Sequence, residues 1–170
     1  MNGRSFTIML SRYRGMKMSK ERLDYFKIWP EAMKGLMEIE KFLGGSGLDK
    51  TIFELVKFRA SQMNGCAYCL DMHSKDARQR GETEQRLYTL SAWRETNFYT
   101  DKERAALAWT EALTLISQNE VSDELYNEVR KHFDEKEIIA LTMTIVGING
   151  WNRLAIPFRS QAGHYQPGKH

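Results

Sequence analysis

Proline is absent from residues 31–156, so no residue in that stretch is unable to continue a helix. The same stretch is rich in Ala, Leu, Glu, Lys and Met, which favour helices, and it has no alternating β-branched runs that would indicate strands. Glycines are grouped at a few points, where they are typical of helix ends. The sequence therefore predicts an all-α single domain of six to seven helices.

Capping residues locate the predicted helices. Asp49 can cap a helix through its side-chain oxygen. Thr100 with Glu103, and Asp134 with Glu137, match the capping box, in which the two side chains satisfy each other's free backbone N–H groups. The predicted helices run over about 30–43, 50–64, 66–80, 84–94, 101–116, 123–132 and 135–154.

Charge and hydrophobic content exclude several classes of protein. The chain has 25 Lys and Arg against 22 Asp and Glu, a net charge of +3, which is not typical of a nucleic-acid-binding protein. Its hydrophobic content of 42% is enough for a sizeable core. No apolar run reaches the ~18 residues that a membrane span needs, and no secretory signal is recognisable. We expect a cytoplasmic protein that contacts neither membrane nor nucleic acid.

Three segments are predicted along the chain. Residues 1–18 are basic and indicate a flexible N-terminal extension, residues 19–160 form the helical domain, and residues 161–170 form a tail. The chain after Pro157 is expected to be loosely ordered.

The most informative feature is a pair of cysteines, Cys66 and Cys69, the only two in the chain. If a helix begins near Cys66, then Cys66, Cys69 and His73 lie on one face of it, and the two cysteines are close enough for a disulfide. The helix N-terminus favours an anion, so it lowers the pKa of a thiol there. His73 could accept or relay its proton, and Glu54, on the preceding helix, could fold back towards the same pocket.

This set of groups suits thiol-dependent reduction of peroxides. A thiolate attacks the O–O bond and becomes a sulfenic acid, and a second thiol condenses with it to a disulfide. A base takes up the proton of the attacking thiol, and an external dithiol then reduces the disulfide. The hypothesis requires two sulfurs that are close, ionisable and reachable by small oxidants.

The same segment resembles the alkylhydroperoxidase core of the AhpD-like proteins, within the carboxymuconolactone decarboxylase superfamily. The resemblance rests on the pattern Glu-x11-Cys-x2-Cys-x3-His, and a looser similarity extends from Leu23 to about Pro157. The matching residues are Glu54, Leu55, Val56, Arg59, Ser61, Asn64, Gly65, Cys66, Cys69, His73 and Ala77.

The resemblance implies an all-α fold and a homo-oligomer, commonly a trimer or hexamer. It implies that Cys69 attacks the peroxide, that Cys66 resolves the sulfenic acid, and that Glu54 and His73 relay protons. The substrate would be an organic hydroperoxide or hydrogen peroxide, and an unidentified dithiol would be the reductant. One departure is Tyr68, which stands where some members carry a second histidine. A phenol cannot act as a base at pH 7, although it can donate a hydrogen bond.

Three other interpretations of the cysteine pair are open. It could belong to a dithiol–disulfide oxidoreductase or redox sensor with little peroxidase activity. Cys66, Cys69, His73 and Glu54 could instead hold zinc in a non-enzymatic oligomeric module, although zinc ligands usually come from two separated pairs. The cysteines could also be two small buried residues without redox chemistry. The leading hypothesis requires neither a cofactor nor a metal.

Overall fold

A computed structural model describes residues 20–168 of the chain. Over that range the chain forms eight α-helices and two 3-10 segments, and it contains no β-strand. The all-α prediction is confirmed, whereas the predicted extension at residues 1–18 lies outside the described residues. The α-helices are α1 Tyr25–Ile28, α2 Lys34–Gly44, α3 Lys50–Asn64, α4 Ala67–Gln79, α5 Glu84–Thr89, α6 Asp101–Thr114, α7 Asp123–Arg130 and α8 Glu135–Phe158.

The predicted caps hold the starts of the main helices. Asp49 accepts hydrogen bonds from the first turn of α3, and both capping boxes form at α6 and α8. The capping boxes join Thr100 to Glu103 and Asp134 to Glu137. These bonds are local, because each joins residues within three positions of each other, and for that reason the sequence predicts them well.

The helix boundaries differ from the prediction at three points. The four-residue helix α1 was not predicted, and Pro30–Met33 forms a 3-10 segment before α2. The predicted helix over 84–94 divides into α5 and the 3-10 segment Leu90–Glu95, which is kinked at Ala92. Helix α8 continues to Phe158 and includes Pro157 in its last turn.

Helix α3 is the centre of the packing and contacts α4, α6 and α8. Most of the surface of this helix is buried. The buried residues include the polar Glu54, Lys57 and Ser61 as well as apolar residues. Buried polar groups need partners, so a core helix that carries three of them indicates a polar site in the interior. Among the described residues, no helix is long and apolar enough to span a membrane.

The segment after α8 is hydrogen-bonded to α4, in contrast to the expected loose order. The backbone N–H of Gly163 donates to the Asp71 carboxylate at 2.9 Å. The Lys75 ammonium donates to the carbonyl oxygen of Tyr165 at 3.0 Å, and the Tyr165 hydroxyl donates to Asp76 at 2.8 Å. This segment therefore covers part of α4, and the domain boundary at residue 160 stays a prediction.

Candidate functional site

A tight turn between α3 and α4 positions the two cysteines. Gly65 ends α3 in the left-handed conformation, with φ of 71°, which a residue with a Cβ adopts only at a cost. Cys66 is the N-cap residue of α4, and its Sγ accepts a hydrogen bond from the backbone N–H of Cys69. The two sulfurs are 2.8 Å apart and both thiols are free. The close approach that the spacing predicted is confirmed.

The two thiols differ in acidity. The pKa of Cys66 is lowered to about 7, chiefly because the Cys69 thiol donates a hydrogen bond to its sulfur. The pKa of Cys69 is raised, because that same hydrogen bond and burial both favour its protonated form. The arrangement therefore favours ionisation of Cys66, at the helix N-terminus, over ionisation of Cys69.

Both cysteines are buried, with 1% of each residue exposed, so the expected access for small oxidants is not present in the single chain. Ala60, Ile148 and Ala155 form an apolar cluster with them, against which Tyr68 packs. Burial raises the pKa of the Tyr68 hydroxyl, so this residue remains a neutral phenol beside the sulfurs. A peroxide can reach the pair only if this cover opens.

Asn152 of α8 supplies a polar contact to the sulfurs that the sequence did not lead us to predict. Its buried amide acts to lower the pKa of both cysteines, which for Cys69 only partly opposes the rise caused by the Cys66 hydrogen bond and burial. Its oxygen accepts from Asn64 at 2.8 Å, and its nitrogen donates to Ser61 at 3.3 Å. Asn152 lies within the looser similarity, but no local spacing connects it to residues over eighty positions away.

Glu54 and His73 form a buried pair between α3 and α4. The two atoms Nδ1 of His73 and Oε2 of Glu54 are 2.9 Å apart, and each side chain is at most 5% exposed. The carboxylate acceptor fixes the ring proton on Nδ1. Arg80, which the sequence analysis did not single out, lies 3.0 Å from the other oxygen of Glu54. The pairing of Glu54 with His73 is what the predicted proton relay needs.

The structure brings the four predicted residues together as two pairs. Among the described residues, no hydrogen bond joins His73 to either cysteine sulfur. The one group of three or more candidate metal ligands in that part of the chain consists of Glu54, His73 and Asp76, whose donor atoms lie within 4.8 Å of one another. The cysteines are not part of it, so the four-ligand zinc arrangement considered from the sequence does not form.

A cleft of about 300 Å³ lies beside α4, on the face next to the one that carries the cysteines and His73. Apolar and charged side chains line it in similar number. They are Phe58, Leu70, Asp71, Ser74, Arg78, Glu84, Leu87 and Tyr88.

Comparison with known proteins places this arrangement in a family. Residues 30–112 match the carboxymuconolactone decarboxylase family. The uncharacterized Bacillus subtilis protein YdfG is 49% identical over 142 residues, which are 84% of this chain and 97% of YdfG. A crystal structure of an Agrobacterium tumefaciens protein of unknown function, provisionally described as the antioxidant defence protein AhpD, is 43% identical, with a TM-score of 0.82. The match covers 86% of this chain and 100% of that one. The chain belongs to the AhpD-like proteins of the carboxymuconolactone decarboxylase superfamily.

A curated AhpD-like relative carries an activity in its name. The alkyl hydroperoxide reductase AhpD of Nocardia farcinica is 38% identical over 48 residues, which are 28% of this chain and 27% of that protein. The identity with this named enzyme is therefore limited to a short segment, whereas YdfG and the Agrobacterium tumefaciens protein, which match most of this chain, are uncharacterized or of unknown function.

Proposed function

We propose that this AhpD-like protein is a thiol-dependent peroxidase that reduces organic hydroperoxides or hydrogen peroxide. The observation that carries the proposal is the pair of free thiols 2.8 Å apart at the N-terminus of α4, one of them with its pKa lowered to about 7. A thiol with that pKa is about half ionised at pH 7, and its neighbour is in position to form a disulfide.

The proposed cycle has three balanced steps. A thiolate sulfur attacks one peroxide oxygen, the O–O bond breaks, and a proton converts the departing alkoxide to an alcohol while the cysteine becomes a sulfenic acid. The second thiol attacks the sulfenic sulfur, which forms the disulfide and releases water. An external dithiol then donates two electrons and two protons, restores both cysteine thiols and leaves as its own disulfide.

We assign the attack to Cys69 and the resolving step to Cys66, as the family resemblance implies. Cys66 is the more acidic of the two thiols, so attack by Cys69 requires the Cys69 proton to pass to Cys66 across the 2.8 Å between the sulfurs. His73, on the same face of α4 as the cysteines, then takes up and returns protons together with Glu54 of α3 during the cycle. The Asn152 amide favours the ionised form of both sulfurs.

We further propose that the protein acts as a homo-oligomer, a trimer or hexamer. Large apolar side chains are exposed on α1, on α2 and in the segment between them, and apolar surface of this kind is typical of subunit interfaces. They include Phe26, Trp29, Met37 and Phe42. Sedimentation at equilibrium measures the state directly, and a monomer at micromolar concentration would contradict this part of the proposal.

Single-turnover oxidation tests the peroxidase proposal. Fully reduced protein is mixed with cumene hydroperoxide in the absence of any reductant, and thiols and cumyl alcohol are counted. We expect one alcohol and one disulfide per chain. A disulfide that forms with diamide, but not with the hydroperoxide, would favour the dithiol–disulfide oxidoreductase instead.

Two serine variants test the roles of the cysteines. Cys66→Ser is expected to accumulate a sulfenic acid on Cys69, which dimedone traps, whereas Cys69→Ser is expected to yield no trapped product. The reverse pattern would transfer the attacking role to Cys66, the more acidic of the two thiols.

A further inference from the structure

Three side chains that can bind a metal ion meet between α3 and α4. They are Glu54 of α3 and His73 and Asp76 of α4, and their donor atoms lie within 4.8 Å of one another. His73 and Asp76 are three positions apart, so they lie one turn apart on the same face of α4. Glu54 approaches from the packed helix α3. A histidine and a carboxylate three positions apart on one helix, with a carboxylate from a facing helix, form metal sites in helical bundles.

The distances within this cluster suit a small divalent cation. Zinc binds imidazole nitrogen and carboxylate oxygen at about 2.0–2.1 Å, so two ligands of a tetrahedral zinc lie roughly 3.4 Å apart. The 2.9 Å between Nδ1 of His73 and Oε2 of Glu54 would have to widen by only about 0.5 Å. The Asp76 oxygen, at most 4.8 Å away, would have to move inward. Three protein ligands leave one position of the ion to water, as in open zinc sites.

Both carboxylates of the cluster are held by an outer partner. Arg80 lies 3.0 Å from Oε1 of Glu54, whereas Oε2 is the oxygen directed at His73. The Tyr165 hydroxyl donates to Oδ1 of Asp76 at 2.8 Å. Outer hydrogen bonds of this kind orient the ligands of a metal site. Ligands that are already oriented lose little conformational freedom when they bind the ion.

The charges around the cluster also favour a cation. Glu54 and Asp76 bring two carboxylates against one nearby guanidinium, Arg80, whose side chain is 43% exposed and can turn outward into solvent. Lys75, another cation of α4, is paired with Asp71 at 2.8 Å. Asp76 is only partly buried, so an ion can reach the cluster from that side of α4. The Glu54 side chain, in contrast, is 3% exposed, so little water screens its attraction for the ion.

We propose that Glu54, His73 and Asp76 form a binding site for a divalent transition-metal ion such as Zn²⁺. One nitrogen and two oxygen ligands suit such an ion better than Ca²⁺ or Mg²⁺, which prefer oxygen alone. Binding through Nδ1 requires that the neutral ring of His73 carry its one proton on Nε2 instead, so no electron is transferred. The cysteines take no part in the site.

The ion and the proposed proton relay exclude each other. With the metal bound, Glu54 and His73 are ligands and cannot pass a proton between them. Zn²⁺ is therefore expected to inhibit turnover, and this consequence, unlike the site itself, rests on the proposed function.

Equilibrium dialysis against Zn²⁺ alone tests the site in the full chain carrying Cys66→Ser and Cys69→Ser, since thiolates bind zinc themselves. We expect one Zn²⁺ per chain at micromolar free zinc. Adding Asp76→Asn is expected to weaken binding at least about tenfold, because the amide can keep the hydrogen bond from Tyr165 but is a poorer ligand. Asp71→Asn is the matched control, because it removes a carboxylate of α4 that is also held by the segment after α8, and it is expected to leave binding unchanged.

NMR of wild-type protein with ¹⁵N-labelled histidine locates the ion without any substitution, so it decides the matter even where the serine variants fold poorly. Zn²⁺ is expected to shift the Nδ1 resonance of His73 and to remove its proton. A metal shift on Nε2 of His73, or only on His132, His164 or His170, would overturn the proposal. So would equal zinc binding by the Asp76→Asn and Asp71→Asn proteins, or no binding at all. No peroxide is used, so the result stands even if the protein reduces none.

Discussion

The two pairs of the candidate site are held together in different ways. Cys66 and Cys69 meet through one helical turn and the left-handed Gly65 that precedes it, all within five consecutive residues. Glu54 and His73 lie nineteen positions apart on two helices and meet only because α3 packs against α4. The sulfur pair is therefore a local structure, whereas the carboxylate–imidazole pair depends on the tertiary fold.

The difference indicates how each pair responds to change. A local pair keeps its geometry as long as the helix end is formed, even where packing farther away is weakened. A tertiary pair loses its geometry when the helices shift, since sub-ångström displacements already weaken a buried hydrogen bond. Substitutions that remove one kind of support and leave the other intact should therefore distinguish local from tertiary contributions to the site.

The largest effect is expected for Asn152→Ala, which removes the tertiary support of the sulfur pair. Asn64 and Ser61 each lose a buried partner, so the free energy of unfolding is expected to fall by about 2 kcal/mol. The local geometry should survive, and the two cysteines should still form a disulfide with diamide. Urea denaturation and thiol counting measure the two effects, with Arg153→Ala, an exposed neighbour, as the control. A folded Asn152→Ala protein whose cysteines fail to oxidise would show that the sulfur pair is not local.

The next effect concerns the acidity of Cys66 and is measured in a matched pair of variants. In both Cys69→Ser and Cys69→Ala, Cys66 is the only thiol, but only serine can donate a hydrogen bond to its sulfur. Alkylation is expected to rise with pH through about 7 in the serine variant, because the thiolate forms above its pKa. In Cys69→Ala, which lacks the donor, the midpoint of the pH dependence of alkylation should lie about one pH unit higher. This shift corresponds to a tenfold lower alkylation rate at pH 6. Equal midpoints would mean that the helix terminus alone lowers the pKa of Cys66.

A smaller effect is expected when the local turn itself is changed. Gly65→Ala places a Cβ on a residue with φ of 71°, which is expected to cost about 1 kcal/mol of stability. No atom outside the turn approaches within 4 Å of that Cβ, so the cost is one of backbone conformation and not of packing. Gly44→Ala, at the end of α2 and equally uncrowded but without positive φ, is the control for thermal unfolding. If both variants unfold at the wild-type temperature, the positive φ at residue 65 does not make alanine unfavourable there.

Local features of this molecule could be predicted from its sequence. The caps at Asp49, Thr100 and Asp134 and the close approach of the cysteines depend on residues a few positions apart, where spacing determines contact. The same reasoning missed α1, because a four-residue helix has no periodicity to detect. It also ended α8 before Pro157, although proline in the last turn gives up only one hydrogen bond.

The tertiary features could be predicted only in part. The family pattern led to Glu54, but neither Arg80 beside it nor the Asn152 amide at the sulfurs follows from spacing along one helix. The burial of both cysteines was not predicted either, since it results from α8 covering the end of α4 through Ile148 and Ala155. Contacts between distant helices decide these points, and no local pattern encodes them.

The smallest effect is expected for Arg80→Gln, which tests how much the tertiary pair depends on its third member. Arg80 is 43% exposed, so the solvent screens most of its attraction, and the expected loss is about 0.5 kcal/mol of unfolding free energy. Arg78→Gln is the matched control, because the Arg78–Glu84 pair is exposed on both sides and should contribute less. Arg80 is expected to contribute more than Arg78 because its partner carboxylate, Glu54, is buried, whereas Glu84 is exposed. Paired urea denaturation curves measure it, and equal losses in the two variants would mean that His73 alone satisfies the buried charge of Glu54.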